Sequence, residues 1–575
     1  MKSLKFNCYF WGLIIILTLA FFLRFIDLSW GLPYHFHPDE WNMASAITRL
    51  SWKNKLDPEF YAYGQLPLYL TYFSTKLYNL VPWITLKEID LPEAIFFLRF
   101  WSALAGVGTV YLVYLISKRL FSTRYLSLIA ALLASFTPGL IQISHFGTTE
   151  SLLSLFFLAI LYFSFKILEK QKFIYFFWAG IILGLALGTK ISALVFFFPL
   201  VVTSTISFFR TKKKIKIFGL FLIALIISSC LTLLTSPYLI LKFQESLRII
   251  TYEARVAQGL QSVFYTRQFF NTTPVLFQLQ KIFPYALGWP IFIIGILGFV
   301  LMFFVITKSL VKRERKAFLN TYFLPAGRHG LILTSFLVYF LSQAFLFTKW
   351  TRFMAPVFAF FPIFAAFFLS YLRNLRYLRY LFVFLAILPG IIFSTIYFRP
   401  DIRFIASEWI YNNIPSGSKV LSETGNVIDI PLPRQSNTYN LSPVSFDFYH
   451  LDENPELFNQ LLVYLETSDY IFVPSRRIFS NHQRLATQFP KTAKYYELLF
   501  SGKLGFTETK VFRPFPQFQI FPLTDGIPPT AVTNFKFQIN DEQSEETFTV
   551  FDHPAIRIYE KSNPLTKKQY EELFN

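Results

Sequence analysis

Two imidazoles and two carboxylates, His35, His37, Asp39 and Glu40, occur within six positions directly after the first long apolar run. Ionisable groups at the end of a membrane helix are costly unless they are paired or have a task. A carboxylate there can take the proton of an attacking hydroxyl as general base. The four side chains also carry donor types suited to a divalent cation, although their spacing matches no specific metal motif. The same stretch reads equally as a helix start, since Pro38 suits the first helical position and acids there complement the helix dipole. More polar residues fall at the ends of apolar runs: Ser144, His145 and Glu150, then Lys190, Pro237 and Tyr238, Glu253 and Arg255, and Lys349, Trp350 and Arg352. Each alone has a plain reading. Lys190 and Arg352 read as snorkelling cations, Trp350 as an interfacial aromatic, and His145 as a helix-end hydrogen-bonding group.

The elements that must position these groups are membrane helices. Of 575 residues, 54% are hydrophobic and 15% charged, and 73 are Phe. That profile requires many spans. The net charge of +20 sits in short segments between apolar runs, which is the pattern of cytoplasmic loops and not of a nucleic-acid-binding face. Cys8 and Cys230 stand alone in apolar runs, so neither a disulfide framework nor a cysteine metal site is built. The amino terminus resembles a signal peptide but has no small-x-small cleavage residues before Arg24, so an uncleaved first span is expected.

Runs long enough to span occur at about 9–26, 94–117, 125–143, 150–168, 173–190, 191–209, 217–235, 288–307, 331–348, 353–372 and 380–398. The expected fold is therefore a polytopic α-helical membrane protein of about eleven spans, within a range of about nine to thirteen. Basic clusters fall on alternate connections: Lys118, Arg119 and Arg124; Lys166, Lys170 and Lys172; Arg210 to Lys216; Lys312 to Lys316 with Arg328; and Arg373, Arg376 and Arg379. The positive-inside rule places these connections in the cytoplasm and every polar cluster named above outside. The aromatic stretch 60–82, broken by Gly64 and Pro67, would invert this order if it spanned, so it reads as an interfacial helix within a large first external loop, 27–92. The membrane module covers 1–400. Beyond it, short apolar runs such as Lys419-Val-Leu-Ser and Tyr470-Ile-Phe-Val, separated by turn residues, predict a soluble extracytoplasmic α/β domain over 401–575.

Carboxylates and cations gathered at the outer membrane face favour a lipid-linked anionic substrate. A sugar on a polyprenyl phosphate has a leaving group that lipid cannot stabilise, so Lys, Arg or a metal must meet its charge while a carboxylate deprotonates the acceptor. The motifs Phe36-His-Pro-Asp-Glu40, Ser144-His-Phe-Gly-Thr-Thr-Glu150, Gly184-Leu-Ala-Leu-Gly-Thr-Lys190, Ser236-Pro-Tyr238, Leu287-Gly-Trp-Pro290 and Lys349-Trp-Thr-Arg-Phe-Met-Ala-Pro356, in that order, resemble the GT-C glycosyltransferases. More narrowly, they are similar to the bacterial branch related to protein O-mannosyltransferases and lipid A aminoarabinose transferases, over residues 1 to about 430.

The resemblance implies an inverting glycosyltransferase in the cytoplasmic membrane, with a polyprenyl-phosphate-linked donor and a protein, lipid or glycan acceptor on the extracytoplasmic side. It implies Asp39 as the base with Glu40 beside it, Lys190 and Arg352 near the donor phosphate, and Glu150, with His145 and Tyr238, at a second acidic or acceptor position. Metal use differs among the resembling families; His35 and His37 are the added candidates for a divalent ion. The competing class is a transporter or flippase of lipid-linked sugars, which would place charge at the bilayer midplane and show an internal repeat. A non-catalytic saccharide sensor would leave the clustered acids and cations unexplained.

Overall fold

Backbone groups removed from water must find partners within their own segment, so the apolar runs fold as helices. In the computed structural model, described over residues 2–80, 88–311, 325–425, 427–432, 439–519 and 536–575, they form α1 (Lys2–Phe25), α4 (Leu91–Leu120), α5 (Arg124–Ser135), α6 (Pro138–His145), α7 (Glu150–Glu169) and α8 (Phe173–Leu187). These are followed by α9 (Phe197–Arg210), α10 (Lys214–Thr235), α12 (Trp289–Val311), α13 (Pro325–Ala344), α14 (Thr351–Phe358), α15 (Phe360–Tyr371) and α16 (Arg376–Ser394). Between spans lie α2 (Pro38–Arg49), α3 (Leu66–Tyr78) and the amphipathic α11 (Phe243–Gln258). Among the described residues, seven helices are long and apolar enough to cross a membrane, and the count reaches nine if each of the bent pairs α5–α6 and α14–α15 is one span. The other two expected segments fold as α8, which has only 15 residues, and α13.

The chain divides into two compact units, Met1–Gln261 with Thr272–Ser394, and Ser262–Asn271 with Thr395–Asn575. In the first, the α5–α6 pair bends by 54°. Pro138 has no N–H to return to the Ala134 carbonyl, and the freed acceptors are met from outside the helix. Arg24, fully buried at the end of α1, donates to Ala134 O at 3.1 Å and to Ser135 O at 3.2 Å. At the opposite ends of these spans, Glu169 of α7 pairs with Arg119 of α4 and, at 3.4 Å, with Arg328 of α13. Three of the basic connections therefore share one end of the bundle. The Lys312–Lys316 cluster and residues 81 and 82 of the aromatic stretch lie outside the described residues.

Two helices organise the first loop. Met43, Ala44, Ile47 and Leu50 give α2 an apolar face that packs on Leu68 and Tyr72 of α3 and on Ala94, Ile95 and Leu98 of α4. The start of α2 is thereby held against the bundle. Close packing of α8 on α10 sets the height of the next turn: a Cβ at Gly180 would come within 2.5 Å of Ala224 O, and one at Gly184 within 2.8 Å of Ser228 O. Small residues at this four-residue spacing let the two backbones touch.

The second unit is built on a five-stranded mixed sheet whose strands, edge to edge, are β2 (Ser442–Ser445), β1 (Lys419–Ser422), β3 (Tyr470–Val473), β7 (Ile556–Lys561) and β4 (Phe506–Phe512), with a separate pair formed by β5 (Gln517–Gln519) and β6 (Lys536–Gln538). β1 pairs parallel with β2 and β3, while β7 runs antiparallel to β3 and β4. Alternate residues enter opposite cores. Leu421, Ile471, Val473 and Tyr559 pack on one face, and Val420, Phe472, Ile556 and Ile558 on the other. The segment Ser262–Asn271 belongs here through Arg267, which donates to Tyr449 O and pairs with Glu453. The sequence boundary at 400 had left that segment with the membrane module.

In the core of this unit His553 lies between two carboxylates, Nδ1 at 2.5 Å from Asp552 and Nε2 at 2.9 Å from Asp541. Burial alone would lower its pKa, but the two carboxylates raise it to about 10. Because the folded value exceeds the unfolded one, the stabilisation is complete below about pH 6.5 and is lost as pH rises towards 10. We expect the melting temperature of the wild type to fall across that interval. The difference from His553→Gln should be largest at its acid end and smallest at its alkaline end, as read by thermal unfolding at a series of pH values.

Candidate active site

Asp39 and Glu40 occupy the first turn of α2, with Pro38 at its first position. Both readings of the Pro38-Asp-Glu stretch therefore hold in one place: it starts a helix, and it presents two acids. The acids have different environments. Glu40 is fully buried and takes a bidentate pair from Arg99 of α4, Nε at 2.8 Å and Nη2 at 2.7 Å. The remaining Arg99 nitrogen donates to Leu28 O at 3.0 Å and Trp30 O at 2.7 Å, and the guanidinium lies 4.1 Å from the Trp30 ring. Gly147 N–H also donates to Glu40 Oε1, at 2.5 Å. Glu40 thus ties α2, α4 and the turn before α7 together.

Asp39 forms an ion pair with Arg352, at the start of α14, and both side chains remain partly exposed, at 19% and 25%. Three residues past Gly147, Glu150 opens α7 and accepts from Lys190 Nζ at 3.0 Å and from Thr149 Oγ1 at 3.0 Å. The Lys190 ammonium lies 4.6 Å from the Tyr63 ring and 5.7 Å from the ring of Phe353, the residue after Arg352. The two acid–cation pairs are therefore neighbours. Lys349, 2% exposed, donates to Phe347 O at 2.8 Å, and burial draws its pKa below the usual lysine range.

The first loop is fastened to the turn that carries Lys190. Gly64 N–H donates to Thr189 O and Leu66 N–H to Gly188 O, each at 3.0 Å, and a Cβ at Gly64 would lie 2.1 Å from Gly188 O. Ser236 Oγ bridges the same two segments, donating to Gly188 O at 2.9 Å and accepting from Gln65 N–H at 2.8 Å. Tyr238 joins this clasp. Its N–H donates to Gln65 Oε1 at 3.1 Å and its hydroxyl to Lys55 O at 2.8 Å. Tyr238 is 6% exposed, so its phenol braces the loop.

The histidines do not converge. His35 stacks on Trp41, ring centroids 5.6 Å apart, while His37 occupies the position before α2 with its ring 4.7 Å from Phe146. His145 is fully buried, with Nδ1 2.9 Å from Ile141 O and Nε2 3.0 Å from Ile26 O. Among the described residues no group of three His, Cys, Asp or Glu side chains is arranged to hold a metal ion. The donor set expected from His35, His37, Asp39 and Glu40 is thus not assembled. Lys190 and Arg352, expected at the donor phosphate, are each held by a carboxylate. Arg99 escaped the sequence reading, although an arginine within an apolar run of the second span is itself a signal of a buried partner.

Residues 80–233 match the family described as dolichyl-phosphate-mannose-protein mannosyltransferase, a stretch that contains Arg99, Glu150 and Lys190. No curated protein matches the chain in sequence. Among solved structures it is similar to the archaeal oligosaccharyltransferase AglB from Archaeoglobus fulgidus in complex with an inhibitory peptide and a dolichol-phosphate, at 15% identity over 85% of this chain and 72% of that one, with a TM-score of 0.49. ArnT from Cupriavidus metallidurans bound to undecaprenyl phosphate is similar at 12% identity over 80% of this chain and 92% of that one, TM-score 0.43. The S. cerevisiae protein O-mannosyltransferase Pmt1-Pmt2 complex bound to the sugar donor is similar at 18% identity over 42% of this chain and 34% of that one, TM-score 0.32.

Removing one partner of a buried ion pair strands the other charge. Glu40→Ala should therefore lower stability by about 3–5 kcal/mol, whereas Glu40→Ala combined with Arg99→Met should recover much of that loss. Thermal unfolding in detergent of the two variants beside wild type checks this. Normal stability of the single variant would remove Glu40 from the frame.

Proposed function

We propose that the protein is an inverting membrane glycosyltransferase that moves a sugar from a polyprenyl-phosphate carrier to a hydroxyl of an extracytoplasmic acceptor. The observation that carries this reading is the adjacency of two acid–cation pairs, Asp39 with Arg352 and Glu150 with Lys190, at one end of a membrane helix bundle. The family match over 80–233, whose description names a dolichyl-phosphate-linked mannose donor and a protein acceptor, supports the same chemistry. Basic connections at the opposite end support an outer-face site through the positive-inside rule.

In the reaction, the acceptor oxygen attacks the anomeric carbon as its proton passes to Asp39. The bond between that carbon and the phosphate oxygen breaks on the opposite side, and the electron pair leaves with the phosphate. Direct displacement inverts the anomeric centre. The phosphate gains charge as it leaves, and Lys190 and Arg352 meet it with charge-assisted hydrogen bonds. Glu150 orients Lys190, and the Tyr63 and Phe353 rings hold the ammonium in position. Asp39 rather than Glu40 is the base, because Glu40 is sealed behind Arg99 whereas Asp39, though paired with Arg352, keeps part of its side chain exposed. No nucleotide is required at this site, since activation of the sugar precedes it.

Sugar release from a panel of radiolabelled polyprenyl-phosphate hexoses by purified protein tests the reading. Asp39→Asn should lose about 10² to 10⁴ in rate while remaining monodisperse, and Lys190→Ala should raise KM for the donor more than it lowers kcat. Full activity of Asp39→Asn would overturn the assignment of the base. Movement of the same lipids between vesicle leaflets without turnover would replace the transferase with a transporter.

A further inference from the structure

The second unit carries a cleft of about 390 Å³ that the transfer chemistry does not use. It opens at the edge strand β4, where the helix Pro490–Phe500 ends, and its walls include Phe500, Ser501, Gly502, Glu508, Arg557 and Tyr559. That volume suits a small ligand. A donor, an acceptor and an aromatic platform meet there. Arg557 is fixed from two sides: its Nη2 pairs with Glu542 at 3.3 Å, and its guanidinium lies 5.0 Å from the Phe479 ring. The buried Glu423 carboxylate also feels its charge, so the guanidinium is held on the interior side as well.

Glu508 lies directly across from Tyr559 in the β4–β7 register and accepts from the Tyr559 hydroxyl at 3.3 Å. Phe500 stacks on Tyr559, ring centroids 6.2 Å apart and planes at 27°, yet 38% of it remains exposed. A methyl-sized atom added at Gly502 would meet only Phe506 O, at 3.9 Å, so that wall leaves room. Electrostatics select the class of ligand. Arg557, the one cation among the described residues that line the cleft, is already matched by Glu542, and Glu508 adds a further negative charge, so an anionic ligand is repelled and an uncharged one is not.

We infer that this cleft binds an uncharged hexose ring, with Arg557 donating to one hydroxyl, Glu508 accepting from its neighbour, and Phe500 stacking on the apolar face of the sugar. A guanidinium beside a carboxylate offers the donor and acceptor that adjacent hydroxyls require, and an exposed ring covers the C–H face. The site is separate from the residues assigned to transfer, so it stands or falls independently of them.

The test uses the full chain in a detergent without a sugar head group, because glycoside detergents would compete. Saturation-transfer NMR and titration with methyl glucoside, methyl mannoside, methyl galactoside and glucuronate should show at least one neutral hexoside binding and glucuronate binding more weakly. Glu508→Gln should weaken that binding about tenfold, Thr507→Trp should block it by filling the cleft, and Asp39→Asn should leave it unchanged. Unchanged far-ultraviolet circular dichroism of both cleft variants keeps the result interpretable. Failure of all three neutral sugars to bind, tighter binding of glucuronate, or neutral-sugar binding that survives both cleft substitutions would overturn the inference.

Discussion

The pairing of Glu40 with Arg99 is the contact on which the rest of the site depends. Four segments meet at it: the connection after α1 through the Leu28 and Trp30 carbonyls, α2 through Glu40, α4 through Arg99, and the turn before α7 through Gly147 N–H. Replacing a buried ion pair with apolar residues often leaves stability unchanged, whereas removing one partner is expensive. Such a pair therefore acts more as a device of register than as a source of net stability. Here it sets where the neighbouring acids stand. Asp39 is the residue beside Glu40, and Glu150 follows Gly147 by three positions.

The three acids of this region fall into two kinds. Glu40 is sealed from water and bound on every side, which suits a fixed strut. Asp39 and Glu150 pair with Arg352 and Lys190, and Asp39 is the more open of the two, with 19% of its side chain exposed against 4% for Glu150. Such access suits the base proposed for the transfer, and the group proposed to hold Lys190 in place does not need it. Broken spans serve the same end. The bend at Pro138, supported by Arg24, brings the turn with Gly147 and Glu150 to its position, and the second bent span begins at the residue before Arg352. Membrane helices can afford such breaks where another side chain meets the freed carbonyls.

The second unit uses buried charge in a different way. Its sheet has apolar cores on both faces, and in the Asp541–His553–Asp552 triad each ring nitrogen of His553 meets a carboxylate of the same unit. The cleft at β4 differs from these cores, because it gathers Arg557, Glu508 and the exposed ring of Phe500 at the edge of the sheet.

Much of this was legible in the residues. Strands at Lys419–Ser422 and Tyr470–Val473, the helix at Leu66–Tyr78 and most apolar runs stand where patterning placed them. These follow from local properties, since hydropathy over some twenty residues decides whether a segment enters lipid, and Pro, Gly and alternation decide where helices and strands stop. The sequence by itself therefore determined the membrane class, the alternation of basic connections and the short list of acids and cations. Tertiary structure alone decided the partners: that Glu40 faces Arg99, 59 positions away, that Lys190 meets Glu150 and Arg352 meets Asp39, that Tyr238 and His145 brace the backbone, and that 262–271 joins the second unit. The charge of a side chain is a property of one residue, but its partner is fixed by the packing of helices far apart in the chain, and no local pattern records that choice.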